Sequence, residues 1–241
     1  MERHFDLVKN DVEYMEKLVF PRFPFTCLTF KTTLPVLPWT AEVVEISPTG
    51  MQISLKNGEM HLSENESIEG EIHWGPDCIV LRAQVKWTTN NNAGIEFDEE
   101  TAQKVAAHLH PECMAKRTRA VHLSHLDLEL PANLKTWIHA DGPLEIFVWA
   151  HSDGEVSKFQ MIYFRDILQW VDGVGLKTGQ VMTKRNLDSP LFSEGEFLCK
   201  IDEGILRERI TSISILLGKL SEGMLEPAYR EFIERKIGAK T

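Results

Sequence analysis

The chain has 241 residues, 43% hydrophobic and 26% charged, with a formal net charge of -10. This is enough apolar material for a sizeable core and enough length for two domains. No apolar run approaches the roughly 20 residues that cross a bilayer, and Met1-Glu2-Arg3-His4 is not a signal pattern, so the expectation is a cytoplasmic protein with no membrane insertion. Residues 1–112 hold 9 Lys+Arg against 18 Asp+Glu, whereas residues 113–241 hold 17 against 18. An acidic half repels polyanions at long range, which argues against nucleic acid as the partner. Cys27, Cys78, Cys113 and Cys199 form no CxxC pair and read as reduced, mostly packing cysteines.

In chain order, residues 10–19 read as a short helix, with Val12, Met15, Leu18 and Val19 at helical spacing and Pro21 and Pro24 beyond. Strand patterns follow at 25–32, 41–46, 51–55, 68–74, 78–87 and 93–97, separated by turn signals such as Asn57-Gly58 and Gly75-Pro76-Asp77. Short strands with regular turns predict a small antiparallel barrel. Residues 99–110 then read as a helix. A linker is placed at 113–134, around the basic run Lys116-Arg117-Thr118-Arg119.

The second half carries Asp141-Gly142, Asp153-Gly154 and Asp172-Gly173 between strand-like runs. Asp-Gly suits two-residue hairpins, so a meander is expected, with 176–183 as a fifth strand. Two helices close the chain. The first, about 202–219, has a stripe of Leu206, Ile210, Ile213, Leu217 and Leu220. The second has Pro227 in its first turn. The fold class is therefore α+β, mainly β, with one oily face of the meander packed by two helices. Trp137, Trp149 and Trp170 read as core in preference to an exposed partner patch.

The stretch "EISPTGMQISL" (45–55), then "VKWTTNNNAGIEF" (85–97), then a helix resembles the PilZ domain. The resemblance covers about residues 18–110. It implies a six-stranded antiparallel barrel that typically binds cyclic di-GMP through an RxxxR pair before the first strand and a [D/N]xSxxG turn. Ser47 and Gly50 match the turn, and Glu45 stands where the motif has Asp or Asn. Glycine suits so tight a turn through its access to positive φ. Arg22 matches the second arginine, but Leu18 stands four residues earlier; taken as the first arginine, Arg22 puts Thr26 in second place. Either way one guanidinium is missing, and a lysine ammonium cannot replace its planar fork. A charge-assisted hydrogen bond contributes roughly 1.5–3 kcal/mol, so its loss weakens binding by about one or more powers of ten.

His108, His110 and Cys113, and likewise His122, His125 and Asp127, have ligand-type side chains without a fourth zinc ligand in pattern. A frayed helix end explains the first group better. No GxSxG, HExxH, P-loop or dinucleotide fingerprint occurs, and no catalytic set emerges.

The expectation is a PilZ-like barrel with an N-terminal helix (1–112), a linker (113–134) and an α+β domain (135–241). It would act as a non-enzymatic bacterial signalling adaptor through a protein partner, with cyclic di-GMP binding weakened or lost and no cofactor or metal. The candidate ligand residues are Arg22, Glu45, Ser47 and Gly50. The alternative is a genuine cyclic di-GMP receptor with the second domain as its output. It would draw cations from Lys17, Arg82, Lys86 or the 116–119 run.

Overall fold

The computed structural model describes residues 15–21, 23, 28–33, 39–55, 61–124, 130–142, 144–188 and 193–238. The chain enters on a strand, β1 (Met15–Pro21), where helical spacing predicts a helix. The described part of that helix does not form because every residue of β1 pairs antiparallel with a strand near the far end of the chain, from Met15 opposite Lys200 to Pro21 opposite Glu194. Long-range pairing of a half-buried strand overrides a short helical spacing. Residues 10–14 lie outside the described residues.

Six strands then close a barrel: β2 (Leu28–Thr32), β3 (Thr40–Ser47), β4 (Gly50–Ser54), β5 (Ser67–Trp74), β6 (Asp77–Thr88) and β7 (Asn92–Phe97), in the order β2-β3-β4-β7-β6-β5. All pairings are antiparallel. Alternation sets the inside: Ile68, Ile72 and Trp74 on β5 and Ile79, Leu81 and Val85 on β6 are buried. Gly70 shares this inner face, where a Cβ would stand 2.4 Å from the Phe30 ring; glycine leaves Phe30 room to fill the barrel. Helix α1 (Glu99–His108) follows, and its cap Asp98 accepts from the Thr101 N–H at 2.8 Å.

The stretch read as a linker carries α2 (Pro111–Lys116), the two-residue strand β8 (Arg119–Ala120) and a 3-10 turn (Val121–Leu123). The meander is β9 (Leu134–Ala140), β10 (Leu144–Ala150), β11 (Val156–Tyr163), β12 (Asp166–Val171), β13 (Gly175–Asp188) and β14 (Ser193–Ile201). With β1 and β8 it makes an eight-stranded sheet in the order β1-β14-β13-β12-β11-β10-β9-β8. Gly142, Gly154 and Gly173 all take positive φ, as the Asp-Gly turns require.

The expectation of one oily face is corrected: both faces of this sheet are buried. Trp170 lies on one face, edge-on to Phe232 at 4.9 Å, while Trp137 and Trp149 lie on the other with Phe147 between them. All three tryptophans are core. The second face is sealed by curling. Phe23, two residues past β1, stacks on His139 of β9 at 4.8 Å. In a flat sheet β1 and β9 would stand about 29 Å apart, at roughly 4.8 Å per strand. Near-closure of the sheet brings them together.

The other face receives the closing helices. From α3 (Arg207–Lys219) come Ile210, Ile213, Leu216 and Leu217, and from α4 (Pro227–Gly238) Ile233 and Ile237. Leu206, counted in the predicted stripe, lies just before α3 and is exposed, and its N–H is held by the Thr178 hydroxyl at 3.0 Å. This apolar layer is continuous with the barrel interior.

The buried Trp74 donates its indole N–H to the Asp141 carbonyl at 3.1 Å, joining barrel to sheet. Arg117 lies over the Trp74 ring at 4.8 Å and pairs with Asp77 at 2.5 Å, holding that carboxyl below its usual range through the hydrogen bond. Two residues on, Arg119 pairs with Asp141 and lies over Phe23. Beside it His139 Nδ1 meets Glu145 Oε1 at 2.7 Å, and Trp137 donates to the other Glu145 oxygen at 2.7 Å. Burial alone would lower the His139 pKa; the Glu145 and Asp141 carboxylates outweigh it and push it up to about 9.

A histidine whose folded pKa is raised adds stability that is whole below its ordinary value and fades as pH climbs through the raised one. The melting temperature should therefore fall as pH rises from 6.5 to about 9. Glu145→Gln should lower it at the acid end and flatten that fall; an unchanged pH slope would contradict the pairing.

Candidate functional site

The motif turn joins β3 to β4. Ser47 stands directly opposite Gly50. Its hydroxyl donates to the Gly50 carbonyl at 3.0 Å and lies 3.4 Å from Thr49 Oγ1. The Thr49 carbonyl accepts from the Phe97 N–H at 2.9 Å, fastening the turn to the end of β7. Gly50 is needed here for space, which corrects the sequence argument from φ: its backbone is not left-handed, but a Cβ would stand 2.3 Å from the Ile95 carbonyl oxygen. A side chain would push β4 off β7.

A bulge between Val43 and Glu45 turns Val44 and Glu45 both outward while Val43 and Ile46 stay buried. The Glu45 carboxylate faces Arg165, whose Nε and Nη2 both stand 3.4 Å from Oε1. Arg165 belongs to the tight turn between β11 and β12, next to Phe164 at φ +56°. Nearby, Ile46 lies under the hairpin turn of β9 and β10, where a Cβ on Gly142 would meet it at 3.7 Å. The motif end of the barrel is thus set against two turns of the second sheet. Sequence reasoning missed Arg165, which is 120 positions from Glu45 and carries no local motif.

Of the candidate ligand residues, Glu45, Ser47 and Gly50 come together at this turn. Arg22 lies outside the described residues, as does Thr26. Leu18, four residues before Arg22, is only 9% exposed and belongs to the interior of the curled sheet with Phe197 and Cys199. Most of the cations named as substitutes are engaged elsewhere. Lys17 pairs with Glu196 at 2.5 Å, Arg82 with Glu69 at 3.1 Å, and Lys86 with Glu96. Arg117 and Arg119 hold Asp77 and Asp141.

Other sequence-marked groups resolve as structure. His108 Nδ1 meets the Lys104 carbonyl at 2.9 Å, and His110 stands just before α2 with no side-chain bond to the helix end. His122 Nδ1 accepts from the Trp137 N–H at 3.2 Å; His125 and Asp127 lie outside the described residues. Cys199 is buried, as a packing cysteine should be, and burial pushes its thiol up to about 12. Cys78 is exposed and is the exception among them: it falls on the outward side of β6, and Ile79 and Leu81 take the inward places. Cys27 lies outside the described residues.

Gly50→Ala should cost about 1–3 kcal/mol in urea unfolding, from the overlap with Ile95. An unchanged midpoint would show that the glycine is not there for space.

The PilZ domain family model matches residues 20–110. A comparison with curated proteins finds no match. Among solved structures, the chain is similar to MrkH of K. pneumonia in its apo state, at 8% identity over 80% of this chain and 86% of that one, with a TM-score of 0.26. It is similar to the MrkH-c-di-GMP complex at 9% identity over 79% and 86%, with a TM-score of 0.23. The PlzA protein of Borreliella burgdorferi in complex with c-di-GMP is 12% identical over 79% of this chain and 88% of that one, with a TM-score of 0.28. The closed six-stranded barrel, its motif turn and the family match over the same residues lead to one conclusion: the N-terminal portion of this chain, residues 20–110, is a PilZ domain.

Proposed function

We propose that this PilZ-domain chain is a non-enzymatic signalling adaptor of the bacterial cytoplasm, with cyclic di-GMP affinity weakened or lost, that acts through protein-protein contact. The observation that carries the reading is the place of Leu18. It is the position of the missing arginine, and it is a core residue of the other sheet, on a strand paired along its whole length. An arginine there would be buried without its counter-charge, so restoring the motif would cost the fold.

Two further observations support it. The leading carboxylate Glu45 faces an arginine of the same chain, and the Ser47 hydroxyl already has an acceptor. The motif surface therefore makes intramolecular protein contact where the family's messenger would sit. The half-chain around it carries 9 Lys+Arg against 18 Asp+Glu, an unfavourable field for a ligand with two phosphates.

A second reading rests on Arg165. Its guanidinium is 65% exposed beside the motif turn and could supply the missing fork from the second sheet. The chain would then be a genuine receptor, with ligand binding coupled to the β11–β12 turn.

Calorimetric titration with cyclic di-GMP separates the two. The adaptor reading expects a Kd no tighter than about 10 μM, unchanged by Arg165→Ala or Ser47→Ala. Nanomolar binding that falls about 10–100-fold in Arg165→Ala would overturn it and establish the receptor.

A further inference from the structure

We propose that the outer face of the β5–β6 hairpin binds one zinc-class divalent cation through Glu71, His73 and Cys78. The hairpin register places His73 directly opposite Cys78, and Glu71 lies two residues along β5 from His73, on the same face. One ligand atom from each of the three lies within 4.8 Å of the others. His73 Nε2 stands 3.2 Å from Glu71 Oε2. Among the described residues that nitrogen has no aligned hydrogen-bond partner, and the atom itself is closed to solvent.

The donor set is one imidazole nitrogen, one sulfur and one carboxylate oxygen. Zinc sites with three protein ligands and an open fourth position take such a set. The oxygen-preferring ions Ca2+ and Mg2+ do not suit it. Zinc bonds of about 2.0–2.3 Å at tetrahedral angles put ligand atoms about 3.3–3.7 Å apart. The His73–Glu71 pair is already that close, and rotation about side-chain bonds brings the sulfur in by about 1 Å. The ligands sit on paired strands, and the turn beyond them is pinned through Trp74 and Asp77. A rigid mount of this kind lowers the ordering cost of binding.

Binding exchanges the Cys78 thiol proton for the ion. The S–H bond breaks, the metal–sulfur bond forms, and one proton passes to the buffer. Thr29 and Lys31 of β2 stand opposite His73 and Glu71 and are the nearest cross-strand neighbours on that side. The site is separate from the messenger motif, so the proposal stands or falls independently of the adaptor reading.

The test is titration of the reduced full chain with Co2+, followed by back-titration with Zn2+. A single equivalent should give a thiolate-to-cobalt charge-transfer band and tetrahedral d–d bands, and Zn2+ should abolish both. Cys78→Ser should remove the charge-transfer band, and His73→Ala and Glu71→Gln should each weaken Co2+ binding at least about tenfold. Cys113→Ser, the control for the partly exposed thiol of α2, should leave the spectrum unchanged. All three ligand side chains point outward, and circular dichroism verifies that the variants fold. Absence of the charge-transfer band, or its survival in folded Cys78→Ser, would overturn the proposal.

Discussion

One buried indole sets the relation between the two halves of this molecule. Trp74 ends an inward-facing row on β5, fills the end of the barrel, and hands its only polar group to a carbonyl of the β9–β10 hairpin. A tryptophan can close an apolar core only where its N–H finds an acceptor, and here the acceptor belongs to the other sheet. Arg117 stacks over the same ring and Arg119 holds the same hairpin, so the short stretch between the halves is stapled to both. The family's motif turn then comes to rest against the second sheet, with Ile46 beneath one hairpin and Glu45 facing another.

This arrangement changes the meaning of the motif residues. In isolation a serine and a glycine three apart suggest a ligand turn. In place, Gly50 makes room for the Ile95 carbonyl and Ser47 ties the turn to itself. Both roles are needed by the barrel whether or not a nucleotide binds. Exposed ion pairs such as Arg82–Glu69 add little stability each, at most about 1 kcal/mol. They do remove loose cations from a surface that is already acidic. The group of His139, Asp141, Glu145 and Arg119 is different, because His139 and Asp141 are buried and low-dielectric surroundings make their charges depend on their partners.

Much of the barrel was legible because its strands alternate cleanly and its turns carry their own residues. The Asp-Gly turns and Pro227 likewise marked the meander and α4. The misreadings came from long-range pairing. Residues 15–21 carry helical spacing, yet they pair with β14, and nothing local announces a partner some 180 residues away. Burial of both sheet faces followed from the curl, which a pattern read one strand at a time does not reveal. Arg165 escaped for the same reason. His73 and Cys78 were each visible as residues, but their juxtaposition needed the register of the β5–β6 hairpin.

Barrel and curled sheet share one core and unfold together. Native-state hydrogen exchange read by mass spectrometry tests this most directly, by comparing peptides from the β5–β6 hairpin with peptides from β9–β10. Matching opening free energies are expected for the two, separating when Arg117 is replaced by alanine. Independent opening of the two regions in the unaltered chain would contradict it.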